Sequence, residues 1–199
     1  KVLGKFGNDF SQINAKWNSS MSETVFRRIQ SDPSEWALYH SHYRENRKKW
    51  VTNPLKEVIK QMKNLSELVI GDFGCGEAEL AKEIGDKSKV LSFDMYAIND
   101  SVIECNIAEN VPIAANTLDI AIFSLSLMFK DWEKMLVSAR KVMKATGQLI
   151  IWNPKNKIKE EDLKKAIIDA GFKIISVDSS ISIEPFIKIL AIVDPGSLI

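Results

Sequence analysis

The sequence is poor in the residues that would settle its chemistry alone. It has two cysteines, Cys75 and Cys105, and two histidines in 199 residues. Two cysteines so placed give no metal-ligand spacing and no disulfide framework, and they fit a reducing compartment. No metal is expected. No apolar run approaches the ~20 residues of a membrane span, so no membrane partner is expected either. There is no signal-peptide pattern, no repeat and no low-complexity tract, and a start at Lys1 suggests a fragment of a longer chain. Apolar residues make up 45% and charged residues 27%, the balance of a soluble globular chain large enough for one core. Net charge is nearly absent at +1, but it is unevenly spread. Residues 1–56 hold ten Lys/Arg against five Asp/Glu, and the remainder holds 17 against 21. A basic appendage on a slightly acidic body is either a solvated helix face or the footprint of a polyanionic partner.

What is present is one organising stretch, LVIGDFGCGEAEL, residues 68–80. An apolar run breaks at Gly74-Cys75-Gly76 and resumes as a helix from Glu77. Strand, glycine turn and helix start make a nucleotide-binding βα unit, because glycines let backbone N–H groups approach a ligand that a Cβ would block. A second apolar run ends in Asp94, 20 residues after Gly74, where an acid holds a ribose diol.

A third glycine is also missing. Dinucleotide sites read G-x-G-x-x-G and leave the helix N-terminus bare for pyrophosphate. Here Glu79 takes the third position and Glu77 sits where pyrophosphate would come. Two carboxylates would repel a diphosphate, whereas S-adenosylmethionine has no phosphate and carries a sulfonium cation. The stretch favours S-adenosylmethionine over NAD.

The rest of the chain alternates helix and strand. Helices are expected at 10–17 and 21–30, the second with Ser22 as N-cap. Asp32-Pro33-Ser34-Glu35 is a capping signature for a helix reaching about Trp50. Trp36, Tyr39, Tyr43, Arg47 and Trp50 form one stripe on it, with His40 beside them. That helix either lids the ligand pocket with His40 pointing in or packs His40 into a seam. Its basic turn, Arg44, Arg47, Lys48 and Lys49, either complements the helix C-terminus or contacts phosphate. Asn53-Pro54 opens a helix to about Lys63. Strands are expected at 68–73, 90–93, 102–107, 118–125 and 148–152, then 172–177 and 186–193 as an antiparallel pair. Further helices are expected from Asp131 to about Lys144, ended by Gly147, and from Glu160 to Ala170, ended by Gly171. Asn153-Pro154 reads as a loop start. The expected domains are a helical extension or lid over 1–53 and a ligand-binding domain over 54–199. The fold is α/β, a doubly wound, mostly parallel sheet with one reversed strand at or near its edge.

Ligands of such sheets sit at the carboxyl ends of the strands. That gathers Gly74, Asp94, Asn106, Ile107 and Ser124 round one crevice. Gly74 admits the methionine end and Asp94 takes the ribose hydroxyls. Asn106 meets the adenine edge, Ile107 packs on its ring, and Ser124 starts the loop beneath the sulfonium.

At this point the sequence resembles the ribosomal RNA-processing protein 8 (nucleomethylin) family of methyltransferases. The matching pieces are WALYHSHYRENRKKW, IGDFGCGEAELA, LSFDM, LDIAIFSLSLM and AGFKIISVD, spread over residues 10–193. The resemblance implies a class I methyltransferase fold, Rossmann-like and doubly wound, with seven strands of which the last is antiparallel. It implies an enzyme that uses S-adenosylmethionine, leaving S-adenosylhomocysteine, to methylate N1 of an adenine in large-subunit ribosomal RNA. Ribosomal RNA is the implied partner and the nucleolus the implied location, with silencing complexes at ribosomal DNA as further partners and a monomeric domain. Carried over by position, the family's cofactor contacts fall on His40, Gly74, Asp94, Asn106, Ile107 and Ser124. The sequence departs from the family where Asn106 replaces Asp, Ser124 stands for Cys, and VMKATG and IWNP replace the usual turns.

Methylation of N1 needs no general base, since its lone pair is free and no proton leaves on attack. No catalytic acid–base pair is expected, and the sequence offers none. An Asn/Asp-Pro-Pro-aromatic motif, the mark of N6 methylation, is absent after the fourth strand, where Ser124-Leu125-Ser126-Leu127-Met128 stands. Two other functions fit the bare fold: a small-molecule methyltransferase, and a non-catalytic module that senses the cofactor within a chromatin complex.

Overall fold

The computed structural model describes residues 10–197. Residues 1–9 and 198–199, the outer ends of the two expected domains, lie outside the described residues. Four helices come first: α1 (Phe10–Asn18), α2 (Ser22–Ser31), α3 (Ser34–Arg47) and α4 (Pro54–Met62). Then follow β1 (Val69–Phe73), α5 (Glu79–Ile84), β2 (Lys89–Asp94), β3 (Val102–Glu104) and β4 (Leu118–Ser124). The chain continues through α6 (Glu133–Val142), β5 (Met143–Pro154), α7 (Glu160–Asp169), β6 (Phe172–Asp178) and β7 (Phe186–Val193).

The strands form one seven-stranded sheet in the order β3-β2-β1-β4-β5-β7-β6. Its pairs are parallel up to β5, and β7 runs antiparallel to both neighbours. The order reverses between β1 and β4, which opens a crevice at their carboxyl ends.

Alternation along the strands buries both faces. Ile70, Ile120, Ile122 and Ile150 face α4 and α5 through Val58, Met62, Leu80 and Ile84. The other face packs on the remaining helices, with Ile13, Val25, Ile29, Trp36 and Tyr39 in the same cluster as Leu136 and Leu163. Phe73 is stacked between Phe93 and Phe123 at 5.1 and 4.9 Å, just below the crevice. All three are fully buried, so truncating one would cost ~3–5 kcal/mol.

Several boundaries differ from expectation for identifiable reasons. Ser22 does not cap α2: Met21 is the N-cap, and the Ser22 hydroxyl is spent on Asp131. Asp131 is therefore occupied elsewhere and does not cap α6, whose N-cap is Trp132. Asp32 accepts from the Ser34 amide at 3.0 Å, but the N-cap of α3 is Pro33, and the helix stops at Arg47 rather than Trp50. Gly147 does not end α6; the chain leaves that helix at Met143, which already pairs with Leu118 in β5. Asn153 and Pro154 are strand residues paired with Ile187 and Phe186, not a loop start. β3 is three residues long, because Asn106 and Ile107 have left the strand. Asn53 does cap α4, accepting from the Lys56 amide, and Gly171 takes φ 84° just past α7.

Candidate active site

The glycine turn after β1 is built from left-handed residues. Gly74 has φ 76° and Gly76 φ 57°. Each also yields to a neighbour: a Cβ on Gly74 would overlap Ser126, and one on Gly76 would lie 2.8 Å from His40 Cε1. Non-glycine residues with left-handed φ cluster here too. Ala78, Leu125 and Phe129 have φ of 56°, 62° and 61°, a conformation that costs about 1–2 kcal/mol per residue. Leu125 and Phe129 both line the crevice. Strain held at a crevice marks a site whose shape matters more than local stability.

Asp94 closes β2 beside this turn. Its Oδ1 accepts from Trp36 Nε1 and from the Met95 amide, and its Oδ2 from the Gly76 amide, each at 2.8 Å. Burial pushes its pKa up to about 6, and these donors oppose the rise. Asp72, on β1, is 3% exposed and its carboxylate takes no side-chain hydrogen bond from any described residue. Burial, then the Asp94 charge, pushes its pKa up to about 7. Two buried carboxylates with no cation between them are an electrostatic debit that a bound cation would relieve.

α3 lies across the crevice as a roof. Its aromatic stripe makes a stack: Trp36 on His40 at 3.9 Å, Tyr39 on Trp17 at 4.3 Å, and Tyr43 edge-on to Trp50 at 5.7 Å. The roof is pinned at its start by Glu35, 1% exposed, which accepts from Trp17 Nε1 at 2.7 Å and pairs with Arg28 at 2.8 Å and Lys16 at 3.4 Å. It is pinned at its end by Arg44 to Glu77 and by Arg47 to Glu79 at 2.7 Å. Lys48 pairs with Glu45. The basic turn is thus largely neutralised within the protein. His40 is half-buried, and burial with the Arg44 charge lowers its pKa to about 3, so its ring is neutral.

His40, Gly74, Asp94, Asn106, Ile107 and Ser124 all line this one crevice. Asn106 is partly engaged: its Nδ2 donates to Ser22 Oγ at 3.2 Å and its Oδ1 accepts from the Ala108 amide at 3.2 Å. Ser22 in turn donates its amide and hydroxyl to Asp131 at 2.8 and 2.9 Å. The hydroxyls of Ser124 and Ser126 are buried without a partner among the described residues. Three lining residues escaped sequence reasoning. Spacing places Trp36 on the stripe of α3 but gives its indole N–H no partner. Ser126 carried no signal. Asp72 had one, a carboxylate inside an otherwise apolar strand.

Sheet order, reversed β7, glycine turn and β2 acid together define a class I methyltransferase fold. Solved methyltransferases share it. A TehB-like S-adenosylmethionine-dependent methyltransferase from Corynebacterium glutamicum superposes with TM-score 0.64 at 12% identity, covering 82% of this chain and all of that one. The Burkholderia thailandensis 1,6-didemethyltoxoflavin-N1-methyltransferase gives 0.58 at 14%, covering 81% and 90%. A family model described as a hypothetical methyltransferase matches residues 5–189, and the chain belongs to that family. It is homologous to the ribosomal RNA-processing protein 8 proteins. Identity is 31% over 182 residues with that of Arabidopsis thaliana, covering 87% of this chain and 62% of the relative. It is 38% over 146 residues with that of Drosophila melanogaster, covering 73% and 40%. It is 32% over 186 residues with the 25S rRNA (adenine(645)-N(1))-methyltransferase of Schizosaccharomyces pombe, covering 86% and 58%. The chain thus spans between 40% and 62% of the length of these relatives.

Proposed function

We propose that the chain is an S-adenosylmethionine-dependent methyltransferase acting on N1 of an adenine in large-subunit ribosomal RNA. One observation carries the reading: the crevice joining the six expected contact residues lies within the segment matched to the family and to the Schizosaccharomyces pombe enzyme.

The crevice fits the methyl donor on its own terms. The buried carboxylates Asp72 and Asp94 suit a ligand that brings positive charge and hydroxyls, and the orphaned Ser124 and Ser126 hydroxyls supply polar contacts. Asp94 would hold the ribose, Gly74 the methionine end, Asn106 and Ile107 the adenine, Ser124 the floor, and neutral His40 would donate to the methionine carboxylate. S-adenosylmethionine supplies a methyl group on a sulfonium, whose sulfur keeps the electron pair when the methyl leaves.

The chain's residues have the remaining work. Adenine N1 forms its bond with a free lone pair, so no residue needs to take a proton. Tyr39 and Tyr43 of the roof, with Trp17 of α1 stacked on Tyr39, exclude water and align the reactants. Aromatic faces favour the positive charge that develops on the adenine ring. Residues 1–53 act as the lid and 54–199 as the cofactor-binding domain, working as a monomer in the nucleolus with silencing complexes at ribosomal DNA as further partners.

The test is transfer of label from S-adenosylmethionine to undermodified ribosomal RNA, followed by nucleoside analysis. Labelled 1-methyladenosine is expected. Label in another nucleoside refutes the assignment to N1, and label in small molecules alone favours the small-molecule reading.

A further inference from the structure

We infer that Trp36 is a positioning residue for the cofactor: its indole N–H holds Asp94 ionised and oriented as the acceptor for the ribose. The inference rests on the reading that S-adenosylmethionine occupies this crevice.

The geometry carries it. Trp36 is 2% exposed and gives its single donor to Asp94 Oδ1 at 2.8 Å. The ring is held by His40, stacked at 3.9 Å, and by Tyr96, tilted at 5.4 Å. A side chain so confined aims its N–H rather than swinging away when a ligand enters. The Gly76, Met95 and Tyr96 amides supply the other donors to the carboxylate. Those are backbone groups set by the fold, so Trp36 is the side chain that tunes Asp94.

Asp94 needs that donor because of what surrounds it. Asp72 faces it from β1, Tyr39 from α3, Cys75 from the glycine turn and Cys105 from the segment after β3. Burial raises the pKa of Tyr39 and of both thiols, so these three are neutral in the working range. His40, against Trp36, is neutral as well. None of these groups brings a positive charge to Asp94, and its hydrogen bonds oppose the rise that burial causes, leaving it at about 6. Asp94 without the indole would protonate nearer neutrality, and a protonated carboxyl loses acceptor sites for ribose hydroxyls.

The experiment is calorimetric affinity for S-adenosylhomocysteine between pH 5.5 and 9 for the wild type and Trp36→Phe. Wild-type affinity should hold at high pH and fall as pH drops through about 7 and then about 6, where Asp72 and Asp94 take up protons. In Trp36→Phe the fall should begin at least one pH unit higher, giving about a tenfold loss near neutrality that is regained at pH 9. An equal loss at every pH would reduce Trp36 to packing, and no loss would remove its role altogether. A second measurement covers a variant that fails to fold. In the ¹⁵N-labelled wild type, the Trp36 indole N–H resonance should titrate in step with the loss of affinity, and a resonance flat through that range overturns the inference. Absence of wild-type binding at every pH would instead refute the cofactor reading, while the indole titration would still report on the Trp36–Asp94 coupling.

Discussion

Arg47 Nη2 lies 2.7 Å from Glu79 Oε2, joining the last turn of α3 to the first residue of α5. With Arg44 on Glu77, it clasps the roof helix onto the glycine turn. The two acids that argue against a bound diphosphate therefore have a second use, as partners for the basic turn of the roof. That turn is a poor phosphate ligand while it is so engaged. Neutralising Arg44 and Arg47 together should leave the salt dependence of RNA affinity unchanged, whereas two true phosphate contacts would flatten the slope by about 1.4 on single strands. Fluorescence anisotropy across a salt series decides between them. The clasp itself is part-exposed, so its loss should cost no more than ~1 kcal/mol of stability.

Asp72 should trade stability for binding. Its pKa is raised to about 7 in the fold, above the ordinary value of the unfolded chain. A raised carboxyl pKa means that the native state holds the proton more tightly. Its stabilising effect is full at low pH and is lost as pH rises through about 7. Asp72→Asn should therefore melt above the wild type at pH 8, with the gap closing toward pH 4, while weakening S-adenosylmethionine binding. A variant less stable than wild type at pH 8 would contradict the electrostatic account.

His40 is expected to act on the ligand more than on the fold. Truncation to alanine removes a stack on Trp36 and a ring that lies against Gly76. It should weaken cofactor binding by ~1–2 kcal/mol and leave the apo melting temperature nearly unchanged. A melting point lowered by several degrees with wild-type affinity would make His40 a seam residue. Because its pKa is lowered to about 3, His40 binds protons in the unfolded chain before it does in the fold. Its contribution to stability is thus present above the ordinary histidine pKa and fades as pH falls below it.

The sheet was legible because its signals are local and repeated. The near-continuous apolar run at β4 marks a central parallel strand, covered on both faces. Glycine turn and β2 acid then locate the ligand end. Boundaries were less legible wherever a side chain is claimed by a distant partner. Ser22 and Asp131 both look like helix caps in sequence, and 109 positions apart they bond to each other instead. Glu35 fits a capping box and is instead a buried hub for Trp17, Arg28 and Lys16. The basic turn of α3 could not be assigned from composition, because its acid partners Glu77 and Glu79 lie on another element. Periodicity placed Trp36 on a buried stripe; only three dimensions show that its N–H ends on Asp94.

The central claim is that the crevice beneath α3 binds S-adenosylmethionine through Asp94. Titration calorimetry of S-adenosylmethionine on the wild type and on Asp94→Ala tests it most directly. The account predicts saturable one-site binding by the wild type, and ~2–4 kcal/mol less affinity in the variant through lost charge-assisted bonds to the ribose. Equal affinity in the two proteins, with both folded, would contradict it.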